Sequence, residues 1–394
     1  MSDERRIPDW LDAFLHMDRN SEAPDIFRYW TGISCIAAAL QRKCFVKLGM
    51  LTWYPNFYIL LVGPSGVRKG TAMDPGRRML GEIGIKLAAQ ATSLQKLINK
   101  MRTITYTEIT DDGKMYFHSS LTVFSKEFTV FLGYQNKELM SNLCDWYDCE
   151  DEWTYETLKR GEDKIVGVWV NIIGATTPKL IHTSMPLDAI GGGLTSRMIM
   201  VYESEKGKFS PAPFLSVDDL QLAEELKIDL EKISMMRGQF KFTEDFLNNW
   251  IEWRVRSEKS PPHLKDDRFS GYIQRRPMHI MKLCMVMSAS RSSTMVMTAD
   301  DLTRSVTSLE EVEQSMSKVF SGVGKSSIAE LMPQMLAFIA QRKICTKGDL
   351  QEAFYYDADT WTVERVLTAF DNMGYIKTVV TNEGLVIKYI RGEL

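Results

Sequence analysis

Residues 55–71, PNFYILLVGPSGVRKGT, decide how the rest of the chain is read. Phe57 to Val62 is a short apolar run of aromatic and β-branched residues, too brief for a helix and closed by Gly63-Pro64, as a buried central parallel strand would be. The stretch Gly63, Pro64, Ser65, Gly66, Val67, Arg68, Lys69, Gly70, Thr71 then reads as a phosphate-binding loop entering a helix. Gly63, Gly66 and Lys69 hold three positions of G-x-x-x-x-G-K-[ST], where small residues let backbone N–H groups face phosphate oxygens and the lysine reaches the β/γ-phosphates. Thr71 offers the magnesium-facing hydroxyl, and the helix N-terminus near Gly70 adds its dipole to the anion site. Two positions depart from the pattern. Arg68 stands where the second Gly is expected and needs a backbone conformation that a β-carbon tolerates; Gly70 takes the first Ser/Thr slot, leaving Thr71 one residue late.

The remainder of the sequence sets the class. With 394 residues, 44% apolar and 25% charged, it has the composition of a soluble globular protein of two or three domains. No window approaches about 18 consecutive apolar residues and MSDERRIPDW lacks a signal-peptide core, so a cytoplasmic protein without a membrane partner is expected. The six cysteines include no CxxC pair and the five histidines are scattered, which argues against a disulfide framework or a zinc site. A net charge of −3 excludes a uniformly basic coat but leaves room for a local basic strip that holds a phosphate backbone.

Downstream of the loop, LTVFSKEF supplies a second buried strand, and Glu127 falls where a general base or water-positioning carboxylate would stand beside a γ-phosphate. No Asp precedes it: Lys126 takes that place, so magnesium is held largely by Thr71 and water, or else Ser125 assists. The segment 153–174 reads as a hairpin with Lys159-Arg160-Gly161-Glu162 at its tip, running into an apolar strand from Val166 to Ile173. At that strand's end Thr177, in preference to Thr176, is placed to hydrogen-bond the γ-phosphate or attacking water. Arg197, after a Gly run, enters the strand Met198 to Tyr202; it is either a transition-state arginine for a neighbouring subunit's nucleotide or a solvated strand-end charge.

Taken as an ordered set, VGPSGVRKGT, TVFSKEF, the KRGED-tipped hairpin, NIIGATTP and LTSRMIMVY resemble the AAA+ core, and most closely the MCM-like replicative helicases of phage and plasmid replication modules. The GKGT form of the loop is also similar to adenylate kinases and several viral ATPases. The resemblance implies ATP and Mg2+ as cofactors, a homo-hexameric ring, single-stranded or forked DNA as partner, and primase or polymerase as associates. It implies that Lys159 and Arg160 carry the DNA contact. It further implies that an arginine at a lid-helix start, Arg276 with Arg275 as the fallback, senses the nucleotide. The expected architecture is α/β: an N-terminal helical segment (1–50), a P-loop AAA+ core with a parallel sheet and β-hairpin insertions (51–210), a helical lid (211–322) and a C-terminal winged helix (328–394) after the linker 321–327. That last module is assigned regulation or assembly over sequence reading, because its third helix offers only Arg365 as a basic residue. Two other readings stand beside the helicase. One is a nucleotide-gated DNA-binding scaffold or loader with weak or no hydrolysis; the other is a small-molecule kinase.

Overall fold

The computed structural model describes residues 5–109, 113–157, 161–185, 191–260, 262, 264, 267–320, 327–355, 358–381 and 384–390. The hairpin tip Lys159-Arg160 and residues 321–326 of the expected linker lie outside the described residues. The chain divides into two compact units, Met1–Phe320 and Ser321–Leu394.

The first unit is built on the strand Tyr58–Val62, buried along its whole length. A strand covered on both faces has to be central. It runs parallel to Val168–Thr176 on one side and to Met198–Tyr202 on the other. Val168–Thr176 pairs parallel with Met115–Ser125, and the antiparallel arm Tyr106–Ile109 follows on that edge. Leu87 adds a parallel bridge to Thr122. Val62 is in register with Thr176 and Tyr202, and Ser125 with Gly174, so the C-terminal ends of these strands converge at one end of the sheet.

Both faces are covered. Asn171 donates to Ser34 O (3.2 Å) and Oγ (3.0 Å) in the buried helix Asp25–Leu40, while its Oδ1 accepts from the Phe57 N–H at 3.0 Å. Tyr58, in register with Ile172, points the other way and donates its hydroxyl to Leu143 O (2.7 Å) in the helix Lys137–Tyr147.

Three expectations change. The buried strand read from LTVFSKEF begins earlier, as one continuous strand Met115–Ser125, because Ser119 and Ser120 are buried within the sheet and do not break it. The apolar strand read as Val166 to Ile173 starts at Val168 and runs on to Thr176. The segment expected as a helical lid also contributes strands. It contains the helices Val217–Met235, Glu244–Lys259, Ser270–Arg291 and Ala299–Met316, as a helical segment would. Between them, however, Gly238–Phe242 and Val296–Met297 join Cys44–Leu48 and Leu51–Trp53 in a second sheet. The extreme N-terminal part is tied to the same helices: Arg6 and Ile7 N–H donate to the Asp229 carboxylate at 2.9–3.1 Å, and Trp10 Nε1 donates to Leu226 O at 2.8 Å.

The second unit has the helices Ser327–Arg342, Lys347–Ala353 and Thr360–Asn372 and an antiparallel sheet of Ile344–Thr346, Gly384–Tyr389 and Ile376–Thr381. Met335, Ile339, Leu350, Val363, Val366 and Ile387 fill its core. Among the described residues no helix is long and apolar enough to cross a membrane.

Candidate phosphate-binding site

Residues 63–68 leave the strand Tyr58–Val62 and turn into the helix Lys69–Glu82. The turn is fixed to the neighbouring strands: Gly63 N–H donates to Thr176 O (3.3 Å) and Glu203 N–H donates to Val62 O (3.0 Å). A Cβ on Gly63 would lie 2.2 Å from Glu203 O, so only glycine passes there, and Gly66 adopts φ +90°, which side chains disfavour. Pro64, Ser65 and Gly66 are exposed while Val67 is buried and pins the loop from beneath.

Arg68, the residue in place of a glycine, takes the glycine's conformation: φ is +60° and ψ +24°, left-handed, at roughly 1–2 kcal/mol for a residue with a β-carbon. Its guanidinium is held by Glu22, with Nε at 3.0 Å and Nη2 at 2.7 Å from one carboxylate oxygen; Lys206 Nζ lies 3.0 Å from the other. Hydrogen bonds from Arg68 first and Lys206 second hold the Glu22 carboxyl at a pKa of about 2.

Lys69 folds back over the loop and donates to Gly63 O and Pro64 O, both at 2.7 Å. Burial lowers the pKa of its ammonium, and the Glu127 carboxylate acts against that shift. Glu127 is exposed and stands immediately before the short helix Phe128–Leu132. The loop lysine and the carboxylate after the strand Met115–Ser125 are therefore brought into one electrostatic environment, although no direct salt bridge joins them.

Two buried hydroxyls lie under this end of the sheet, Ser125 Oγ and Thr176 Oγ1, each without a hydrogen-bond partner among the described residues. Gly174 is in register with Ser125 and Thr176 is two residues beyond it, so both hydroxyls belong to one face. Buried polar groups are rarely left unsatisfied. Thr177 is engaged differently: it caps the helix Pro178–Ser184 by accepting the Leu180 N–H at 3.3 Å. The threonine beside the loop strand is Thr176, the alternative ranked behind Thr177 when the strand is ended at Ile173; Pro178, which suits the first turn of a helix, marks Thr177 as an N-cap.

Thr71 is exposed on the first turn of the loop helix. With Arg68, Asp74, Arg78, Glu22 and Met17 it lines a cleft of about 780 Å³ beside the loop. Lys126 spans from the acid-bearing strand end to that helix and pairs with Asp74 at 2.6 Å. Among the described residues no group of three or more His, Cys, Asp or Glu side chains is arranged to hold a metal ion.

The two remaining arginine candidates are placed elsewhere. Arg197 precedes Met198, which is in register with Tyr58, so it stands at the end of the sheet away from the loop. It is buried, paired with Asp148 and donating to Gly193 O at 2.9 Å; Arg275 approaches the same Asp148 at 3.7 Å. Arg276 is buried against Glu313 (2.7 Å) and Glu310 (3.1 Å), with its guanidinium over the Trp253 ring. Nothing local in the sequence marks Asp148 or Glu313, because their roles depend on partners distant in the chain.

No protein-family profile matches this chain, and no curated protein is similar to it.

Proposed function

We propose that this chain is a P-loop ATPase of the AAA+ type, working as a ring-shaped, MCM-like DNA helicase in phage- or plasmid-type replication. The observation that carries the reading is the convergence of Lys69 and Glu127 at the C-terminal end of a parallel sheet, on a loop whose Gly63 and Gly66 leave backbone room for an anion. In this reading Lys69 exchanges the Gly63 and Pro64 carbonyls for β/γ-phosphate oxygens, and Glu127 orients and deprotonates the attacking water. The unpartnered Ser125 and Thr176 hydroxyls suit a polar ligand beneath the loop. Thr71 and Ser125 fit a magnesium ion that keeps most of its waters and arrives with the phosphates, because such an ion needs few protein ligands. When bound it neutralises phosphate charge.

The motor part of the reading rests on the hairpin Glu152–Thr157/Gly161–Val166, which directly precedes the strand ending beside the loop. The three helices and antiparallel sheet of residues 327–390 support a winged helix. A specific observation favours a second reading, the nucleotide-gated scaffold or loader. Arg197 is buried on Asp148 within its own chain, and serving a neighbour's nucleotide would require breaking that pair. ATP turnover with and without single-stranded DNA, beside unwinding of a forked duplex, separates the two. The helicase reading expects DNA-stimulated turnover and unwinding, with Glu127→Gln binding ATP but not hydrolysing it. Tight ATP binding with background turnover in the unaltered protein would replace it with the scaffold.

A further inference from the structure

The two departures from the loop pattern on its magnesium side, Gly70 in the hydroxyl slot and Lys126 before Glu127, meet in space. The Lys126 stem lies across Gly70: a Cβ there would sit 3.3 Å from Lys126 Cδ, 3.6 Å from Cγ and 3.7 Å from Cε. Beyond Gly70 the ammonium reaches Asp74, at 2.6 Å and 2.8 Å from the two carboxylate oxygens. In the usual pattern the side chain following the loop lysine carries a hydroxyl to the metal. Here that side chain is missing, and a lysine stem occupies the corridor. A side chain at position 70 would press on that stem, so the absence of one at Gly70 leaves the lysine its path to Asp74.

We propose that Lys126 is a second phosphate-binding cation of this site, supplied by the chain on the side where the usual pattern places a metal-binding carboxylate, and held in reserve by Asp74. The proposal rests on the nucleotide-binding reading above. Both members of the pair are about two-fifths exposed, and a pair so exposed to water holds weakly. A triphosphate at the start of the loop helix offers the same ammonium several charged oxygens, and a compact, flexibly tethered ammonium can change partner without rebuilding its surroundings. Asp74 competes with the phosphates for that ammonium, so removing Lys126 and removing Asp74 have opposite effects, and the second effect requires Lys126 to be present.

The test is titration of the intact protein with a fluorescent ATP analogue, in excess EDTA and again in excess Mg2+. Lys126→Met keeps the stem on Gly70 and removes the charge; it is expected to weaken binding in EDTA by about ten- to hundredfold and by less in Mg2+. Asp74→Asn is expected to tighten binding in EDTA, and the gain is expected to vanish in Asp74→Asn/Lys126→Met. A Lys126→Met protein that melts like the unaltered one and binds equally well in EDTA overturns the proposal and leaves the nucleotide reading intact. So does an Asp74→Asn gain that survives in the double variant, because it then reflects general charge. If the unaltered protein binds the analogue in neither condition, the nucleotide reading fails and takes this proposal with it.

Discussion

The loop end of the central sheet and the helical region around Arg276 treat charge in opposite ways. At the loop end, Lys69 rests on two backbone carbonyls, Glu127 is exposed, and Lys126 shares a half-exposed pair with Asp74. Around Arg276, a buried guanidinium is matched to Glu313 at 2.7 Å and Tyr272 donates to the same carboxylate at 3.0 Å; nearby in the chain, buried Lys282 donates to Asn56 Oδ1 at 2.7 Å and lies over the Tyr147 ring. Charges of the first kind can change partner at little cost. Charges of the second kind cannot, because a buried ion without its partner is strongly unfavourable. In the proposed reading the contrast separates residues positioned for a ligand from residues positioned for the fold, and it can be broken from either side.

The largest effect is expected at Lys69. Lys69→Ala removes the cation facing the loop carbonyls and should lower ATP affinity or turnover by at least about a hundredfold, while the denaturation midpoint moves little, since surface changes cost within about 0.5 kcal/mol. Equilibrium nucleotide binding together with urea unfolding checks both halves; a large loss of stability would place Lys69 among the structural charges. Arg276→Ala should give the reverse, a loss of about 3–5 kcal/mol in urea unfolding from the stranded Glu313 carboxylate, with nucleotide affinity of the folded fraction retained. If instead its stability holds and its hydrolysis collapses, Arg276 senses the nucleotide and the comparison fails.

Much of this was legible in the sequence where the information is local. The loop strand, the loop, the strand Met198–Tyr202 and the helices of the second unit could be read from apolar runs, Gly and Pro punctuation and helical spacing. What escaped depends on pairing across long stretches of chain. Gly238–Phe242 reads GQFKF, with Phe240 buried between Gln239 and Lys241; that alternation is a strand signal, but it is short, and its partner Cys44–Leu48 lies far upstream. Lys126 reads as a departure from an acidic motif because its counter-charge, Asp74, lies 52 residues upstream. Asp148, which gathers Arg197 and Arg275, carries no local signature.

Lys282 sharpens the contrast through pH. Burial lowers its pKa from 10.5 to about 7. Between about pH 7 and 10.5 the unfolded chain therefore binds a proton that the folded one does not, and stability should rise with pH in that window by up to about 1.4 kcal/mol per unit. Lys282→Met should flatten the rise. Urea midpoints at pH 7, 8 and 9 for both proteins are the check; parallel pH profiles would mean that Lys282 stays charged inside the fold.

The smallest expected effect belongs to Arg68, where two contributions oppose each other. Its left-handed backbone costs roughly 1–2 kcal/mol, which glycine would relieve. Glycine would also release the Glu22 contact, which contributes little because Arg68 is half exposed, and would give the unfolded chain more freedom. Arg68→Gly should therefore change stability by less than about 1 kcal/mol in either direction. Arg68→Val keeps the backbone strain, worsens it with a β-branched side chain and loses the same ion pair, so it should be clearly destabilising, by about 1–2 kcal/mol. Urea unfolding of the two variants reads backbone strain and ion pair separately. Equal losses in both would assign the cost to the missing Glu22 contact and make Arg68 a structural charge like Arg276. A loss confined to Arg68→Val would show that the loop needs its left-handed turn more than it needs the guanidinium.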